Sequence, residues 1–372
     1  MVDLPLIDDY RALFLGRVPF LDLRSPGEFQ RGSFPAASSR PLMTDDERAQ
    51  VGTCYKRQGQ AAAIELGHRL VSGAVREARI TDWLDWARDH PGGVLYCWRG
   101  GLRSQTVQAW LAEAGVVVPR VRGGYKALRR FLIDELECSL ERAPLVLVAG
   151  ATGCGKTRVV EALDQSIDLE GLAHHRGSSF GHLPEPQPSQ IDFENALSIA
   201  LLRRLAAAGE AASSRPLFLE DEGRLIGRIA LPENLRQRMH EAPLVLVEEP
   251  VEARTQVVLE DYILDLGERY RARLGAEAGD ALHRQRLLDG LDRIRKRLGG
   301  ARHQRLRALM EAAFAAQVAG RGIDAHRAWI DALLRDYYDP MYRYQLDQRQ
   351  GEILFRGSRQ AVIDFARELA AC

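Results

Sequence analysis

Two short runs in this chain have the residue types and the spacing to hold phosphate-like anions. The first, Cys97-Trp98-Arg99-Gly100-Gly101-Leu102-Arg103-Ser104, follows the apolar run Val94-Leu95-Tyr96. A thiol at such a strand-to-helix turn faces the backbone N–H groups of Gly100 and Gly101 and the next helix N-terminus, which favour a thiolate. Arg103 can reach back to anchor an oxyanion, with Arg99 and Ser104 as further donors. The second run, Gly150-Ala151-Thr152-Gly153-Cys154-Gly155-Lys156-Thr157, follows Leu145 to Ala149 and precedes a helix that starts near Arg158. This is the strand–loop–helix setting of a phosphate-binding P-loop. Backbone N–H groups over Gly150, Thr152, Gly153, Cys154 and Gly155 form an anion nest, Lys156 reaches the terminal phosphate, and Thr157 can ligate Mg²⁺.

Carboxylates at the ends of later strands belong to the same chemistry. Leu217-Phe218-Leu219 runs into Glu220-Asp221-Glu222, and Leu244 to Val247 into Glu248-Glu249-Pro250. Acids at the C-terminal ends of parallel strands gather where ligands bind, so Asp221 is the first candidate for a Walker-B-like contact and Glu220 the second. Helix capping and solvated turns are equally open readings for both. His174-His175-Arg176-Gly177-Ser178-Ser179-Phe180-Gly181-His182 lacks the spacing of a metal site and reads as a mobile, polar substrate loop.

The elements that must position these runs divide the chain into an α/β domain over 1–135, a P-loop α/β core over 136–260, and a helical, basic region over 261–372 that completes the second domain. Val18 to Leu23, Gly93 to Tyr96 and Leu145 to Ala149 read as short buried strands, and Ile80 to Trp86 and Ser104 to Ala114 as helices. The polar stretch from Val51 to His68, rich in Gly and Gln, reads as a loop or lid. Its Cys54 is open to an accessory or a packing role. Lys plus Arg and Asp plus Glu balance at 51 each, so any polyanion preference must be local. Between Arg269 and Arg307 there are twelve Lys/Arg against four Asp/Glu. Arg293, Arg295, Lys296 and Arg297 are the candidate RNA contacts, with Trp329, Tyr337, Tyr338, Tyr342 and Tyr344 as stacking surfaces or core. Five irregularly spaced cysteines (Cys54, Cys97, Cys138, Cys154, Cys372) form neither a disulfide framework nor a zinc pattern. With no secretory start and no run near the roughly 20 apolar residues of a membrane span, the expected place is the cytoplasm.

The first domain resembles a rhodanese, through Asp22-Leu23-Arg24-Ser25-Pro26-Gly27-Glu28-Phe29, Gly32-Ser33-Phe34-Pro35-Ala36-Ala37 and the Cys97 loop. Five residues separate Cys97 from Arg103, the spacing of the related Cys-based phosphatases, where thiosulfate-type rhodaneses have four. Phosphatase loops carry His before the Cys, where this chain has Tyr96. With Val51-Gly52-Thr53-Cys54-Tyr55-Lys56, Gly59-Gln60, Gly123-Gly124-Tyr125-Lys126, the P-loop, His175 to Gly181 and Tyr337-Tyr338-Asp339-Pro340-Met341-Tyr342, almost the whole chain is similar to the bacterial tRNA 2-selenouridine synthase family. Cys154, where Ser or Ala is usual, leaves the backbone nest intact.

That resemblance implies a transferase that acts on wobble 2-thiouridine in the tRNA anticodon arm. Selenophosphate would be its selenium donor, with the synthase of that donor as a further partner, and geranyl diphosphate would form an S-geranyl-2-thiouridine intermediate. Cys97 would carry or direct selenium, Arg103 with the loop amides would bind the donor's phosphate, and Gly153, Gly155, Lys156 and Thr157 would bind the diphosphate. No tightly bound cofactor is expected beyond Mg²⁺ at Thr157. From the residues alone, an ATP-dependent kinase or NTPase regulated by a rhodanese module, and a non-catalytic RNA-binding scaffold, stay open.

Overall fold

The computed structural model describes residues 4–209, 212, 214–349 and 351–371, so Cys372 lies outside the described residues. Two compact units divide the chain: Met1–Ser139 with Ser189–Ala206, and Leu140–Pro188 with Ala207–Cys372. Among the described residues no helix is long and apolar enough to cross a membrane.

In the first unit, β1 (Leu6–Ile7), β2 (Phe20–Asp22), β3 (Ala37–Ser39), β4 (Val94–Tyr96) and β5 (Arg120–Val121) form a parallel sheet in the order β1-β5-β4-β2-β3. Successive side chains of a strand point to opposite faces, and both faces here are buried. Phe20, Val94, Tyr96 and Val121 enter one apolar cluster. Leu21, Leu23, Leu95 and Cys97 enter another, with Trp83, Trp86 and Trp110. The helix Gln190–Ala208 falls within the span 136–260, yet its Ile199 and Leu202 complete the first of these clusters. Asp192 accepts from Ser33, and Arg203 donates to the Phe14 carbonyl.

A buried ion pair, Asp22 with Arg24, ties the end of β2 to the turn that follows it. Arg24 and Asp22 are both fully buried. Arg24 grips Asp22 with Nε at 2.9 Å and Nη2 at 2.6 Å, donates to the carbonyls of Glu28 and Gly32, and lies 3.7 Å above the Tyr125 ring. The Tyr96 hydroxyl donates to Asp22 at 2.7 Å. Losing one partner of such a pair typically costs about 3–5 kcal/mol.

The stretch expected as a loop or lid is helical. Asp45–Leu70 is a helix with Thr44 as N-cap and Glu47 closing a capping box, interrupted only at Gly59 (φ 86°, ψ −176°). A polar sequence suits a helix here, because Gln, Arg, Lys and Ala are good helix formers and only Ala63 and Gly67 of this helix are buried. Cys54 sits half-buried within it and is a free thiol, as are Cys97, Cys138 and Cys154.

The second unit is built on the parallel order β12-β11-β6-β8-β7, where β6 is Leu145–Gly150, β7 Ser166–Ile167, β8 Leu217–Glu220, β11 Leu244–Val247 and β12 Ile353–Gly357. A small antiparallel pair, β9 (Leu225–Ile226) and β10 (Ile229–Ala230), lies outside that sheet. The C-terminal region is mostly helical, but it also supplies the edge strand β12 and the helix Arg359–Ala371, whose Val362, Ile363 and Ala366 cover the sheet core. A separate helical core gathers Leu287, Leu291, Ile294, Met310, Phe314 and Trp329. Trp329 is 2 % exposed, so it packs this core and is no stacking surface.

Candidate active sites

The cysteine loop leaves β4 at Tyr96 and ends at Gly101, the N-cap of the helix Leu102–Glu113. Cys97 lies at its floor, 3 % exposed, with Sγ 3.2 Å from the Ser104 hydroxyl, which in turn donates to the Gly101 carbonyl. The segment after β5 braces this loop from behind. The Tyr125 N–H donates to the Cys97 carbonyl at 2.9 Å, and the Lys126 N–H to that of Trp98 at 3.0 Å. Gly124, at φ 59°, is the residue this contact requires, because a Cβ there would stand 2.2 Å from the Cys97 carbonyl oxygen. Trp98 stacks on Tyr125 with centroids 5.3 Å apart. Sequence reasoning gave no role to Arg120, which donates to the Gly100 carbonyl. Burial lowers the Arg120 pKa.

Arg103 makes its bonds with Glu28 at 2.6 and 3.3 Å. No bond to Cys97 is formed among the described contacts, so the guanidinium is held beside the loop. Burial would raise the Glu28 pKa. Arg103, the Ser25 N–H and Arg48 outweigh it and hold the carboxyl at about 2. Because that folded value lies below the ordinary 4.5, the pairing stabilises the first unit above about pH 4.5 and is lost as the pH falls towards 2. A Glu28→Gln variant should have a lower urea midpoint at neutral pH and a shallower fall between about pH 5 and pH 2. Parallel curves for variant and wild type would contradict this assignment.

In the second unit β6 delivers the P-loop, and Gly155 caps the helix Lys156–Glu161 in the left-handed region at φ 83°. Lys156 Nζ lies 3.5 Å from the Gly150 carbonyl. The strand end of β8 and the short helix Leu169–Leu172 bring carboxylates to it. The Thr157 hydroxyl donates to Glu170 at 3.3 Å, and the Glu170 N–H to Glu220 at 3.1 Å. Burial, with Asp168 nearby, pushes Glu220 up to about 8. Glu170 and Glu222 are raised in the same way, by burial first and by neighbouring acids. Lys156 is raised despite its burial, because Cys154, Glu222, Glu170 and Glu220 hold its charge. Glu220 Oε1 is buried with no hydrogen-bond partner, whereas Asp221 pairs with Arg349. Glu222 stood in the acidic run seen in the sequence; nothing in the pattern pointed to Glu170.

A cavity of about 620 Å³ opens over this loop, lined by Thr152, Lys156, Ser178, Tyr262, Tyr338 and Tyr342 among others. The Tyr338 and Tyr342 hydroxyls are buried without partners. Asp339, from the Tyr337 to Tyr342 segment, takes a two-pronged grip from Arg254 at 2.7 Å on each oxygen, and Arg254 also donates to the Thr152 carbonyl. The histidine segment is partly built in: His175 is buried against His182 with ring centroids 4.9 Å apart, while Gly177, Ser178 and Ser179 line the cavity. Among the described residues no group of three or more His, Cys, Asp or Glu has metal-holding geometry. Arg293, Arg295, Lys296 and Arg297 all lie exposed on the helix Ala276–Leu298, whose Leu291, Ile294 and Leu298 face the core. Arg297 lines the P-loop cavity, and Arg293 donates to the Ser179 carbonyl.

Residues 143–372 match the family model described as the tRNA 2-selenouridine synthase AAA domain. The chain is 53% identical over 367 residues to the tRNA 2-selenouridine synthase of Marinobacter nauticus, with 99% of each chain covered. It is also 53% identical to that of Aeromonas salmonicida, over 99% of this chain and 98% of the relative. To that of Azotobacter vinelandii it is 54% identical, over 98% and 97%.

Proposed function

The chain belongs to the tRNA 2-selenouridine synthase family, and from that premise we propose that it replaces sulfur by selenium at C2 of wobble 2-thiouridine in tRNA. Geranyl diphosphate first alkylates the thiouridine sulfur. The S–C bond forms as the C–O bond to diphosphate breaks, and the base loses its N3 proton. Selenium from selenophosphate then adds at C2, the sulfur leaves as geranylthiol, and water takes up the phosphoryl group as phosphate. Alkylation makes the second step feasible by turning sulfur into a neutral thiol leaving group.

The observation that carries this reading is the presence of two differently built anion loops in one chain. The P-loop, with Lys156 kept charged by surrounding acids, suits a diphosphate leaving group, whose developing charge a fixed cation stabilises. The Cys97 loop offers a thiol, the Leu102–Glu113 helix N-terminus and Arg103 to a smaller tetrahedral donor. Cys97 directs the selenium, while Arg103 and the loop amides bind its phosphate. The buried, partnerless Glu220 Oε1 beside Thr157 fits a Mg²⁺ held chiefly by water and phosphate oxygens. When bound, that ion would add positive charge at the diphosphate. The exposed cations of the Ala276–Leu298 helix are suited to the tRNA backbone.

Incubating the chain with 2-thiouridine tRNA, geranyl diphosphate and selenophosphate should yield 2-selenouridine on nucleoside analysis. Recovery of unchanged 2-thiouridine, or nucleotide turnover without any modified base, would overturn the reading.

A further inference from the structure

Beside the cysteine loop the first unit holds a cavity of about 1060 Å³. That is the size of an organic-ligand site, which typically runs to roughly 300–1,000 Å³, and far more than a tetrahedral oxyanion fills. Two elements form its walls. The helix Asp45–Leu70 supplies Tyr55 and Lys56 before the break at Gly59, and Ile64 after it; the turn and helix following Cys97 supply Arg99, Leu102 and Trp110. The break at Gly59 lets both segments of that helix line one space.

The lining is amphipathic in a specific way. Tyr55, Ile64 and Leu102 remain 57%, 37% and 49% exposed, and apolar side chains left together in the open mark a binding surface. The cations divide into two kinds. Arg48 and Arg103 share Glu28, whereas Lys56 and Arg99 are exposed and make no ion pair among the described residues. An apolar trough with two free cations calls for a hydrocarbon chain attached to an anion.

We propose that this cavity receives the prenyl chain of the S-prenylated wobble nucleotide, with the hydrocarbon against Tyr55, Ile64, Leu102 and Trp110 and the nucleotide phosphates at Lys56 and Arg99. The proposal rests on the reaction proposed above, which supplies that nucleotide. It gives the first unit a means of choosing its substrate. The lining takes Arg99, Leu102 and Arg103 from the turn after Cys97, so a prenyl group seated there brings its own sulfur and C2 to the loop that directs selenium. Unmodified 2-thiouridine lacks the chain and gains nothing from the trough.

Calorimetric titration of the full chain with S-geranyl-2-thiouridine 5′-monophosphate and with 2-thiouridine 5′-monophosphate tests this. The geranyl nucleotide should bind at least about tenfold more tightly, since each buried methylene adds to affinity. Ile64→Asp and Leu102→Asp, both at exposed positions, should each erase most of that preference, with melting curves as the check on folding. Equal affinities in the wild-type chain, or a preference that survives both variants, would overturn the assignment. Preferential binding abolished by both variants, with no selenium product from S-geranyl tRNA, would leave the cavity assigned and overturn the reaction instead.

Discussion

Lys156→Ala protein should transfer geranyl to 2-thiouridine tRNA at least about 10²–10³-fold more slowly than wild type, the scale expected when one preorganised group facing a developing negative charge is removed. The loss should be large because Arg158, Arg176 and Arg349 of the same cavity are already paired with carboxylates and Arg297 is solvent-exposed. Glu170, Glu220 and Glu222 crowd the same pocket and are all pushed towards their neutral forms by burial and by one another. Without the ammonium they supply no charge to replace it, and the loop loses its own buried cation. Lys156→Arg should recover little, because a planar fork does not replace a compact point charge in a nest of backbone N–H groups. The check is the initial rate of S-geranyl-2-thiouridine formation with tRNA in excess. A rate near wild type would remove the P-loop from prenyl transfer.

Cys97→Ser should separate the two half-reactions. Supplied with tRNA already carrying S-geranyl-2-thiouridine and with selenophosphate, it should form 2-selenouridine at least about 10³-fold more slowly, comparable with the loss of a catalytic nucleophile. Its geranylation of 2-thiouridine tRNA should continue, because that step is the one proposed for the other loop. Serine is nearly isosteric and can keep the hydrogen bond to Ser104, so the fold should survive. Full selenation by this variant, read by mass spectrometry of digested tRNA, would exclude a chemical role for the thiol.

Much of this was legible in the sequence wherever a local rule fixes the geometry. A short apolar run followed by a glycine-rich turn and a helix identified β4 with the cysteine loop and β6 with the P-loop, and the acidic run after Leu219 marked the end of β8. What escaped was set by tertiary pairing. Arg103 lies at phosphatase-like spacing from Cys97, yet Glu28, far away in sequence, takes its guanidinium. Glu170 reaches the P-loop only because the chain folds back through β7 and a four-residue helix. The helix Gln190–Ala208 leaves the P-loop unit's stretch of sequence to finish the other unit's core. β12 hides inside a helical region because a five-residue edge strand with partly exposed sides carries little periodic signal. The helix Asp45–Leu70 shows the converse: intrinsic propensity and a capping box mark it locally, and its polarity reflects a helix with only two buried residues.

The central claim is that two anion loops serve successive steps on one uridine. It is tested most directly by a time course with 2-thiouridine tRNA, selenophosphate and the wild-type chain, run with and without geranyl diphosphate and sampled for all three nucleosides. With the diphosphate present, S-geranyl-2-thiouridine should rise first and decay as 2-selenouridine accumulates. Without it, selenouridine should fail to form. Selenouridine appearing at the full rate in the absence of geranyl diphosphate would contradict the account.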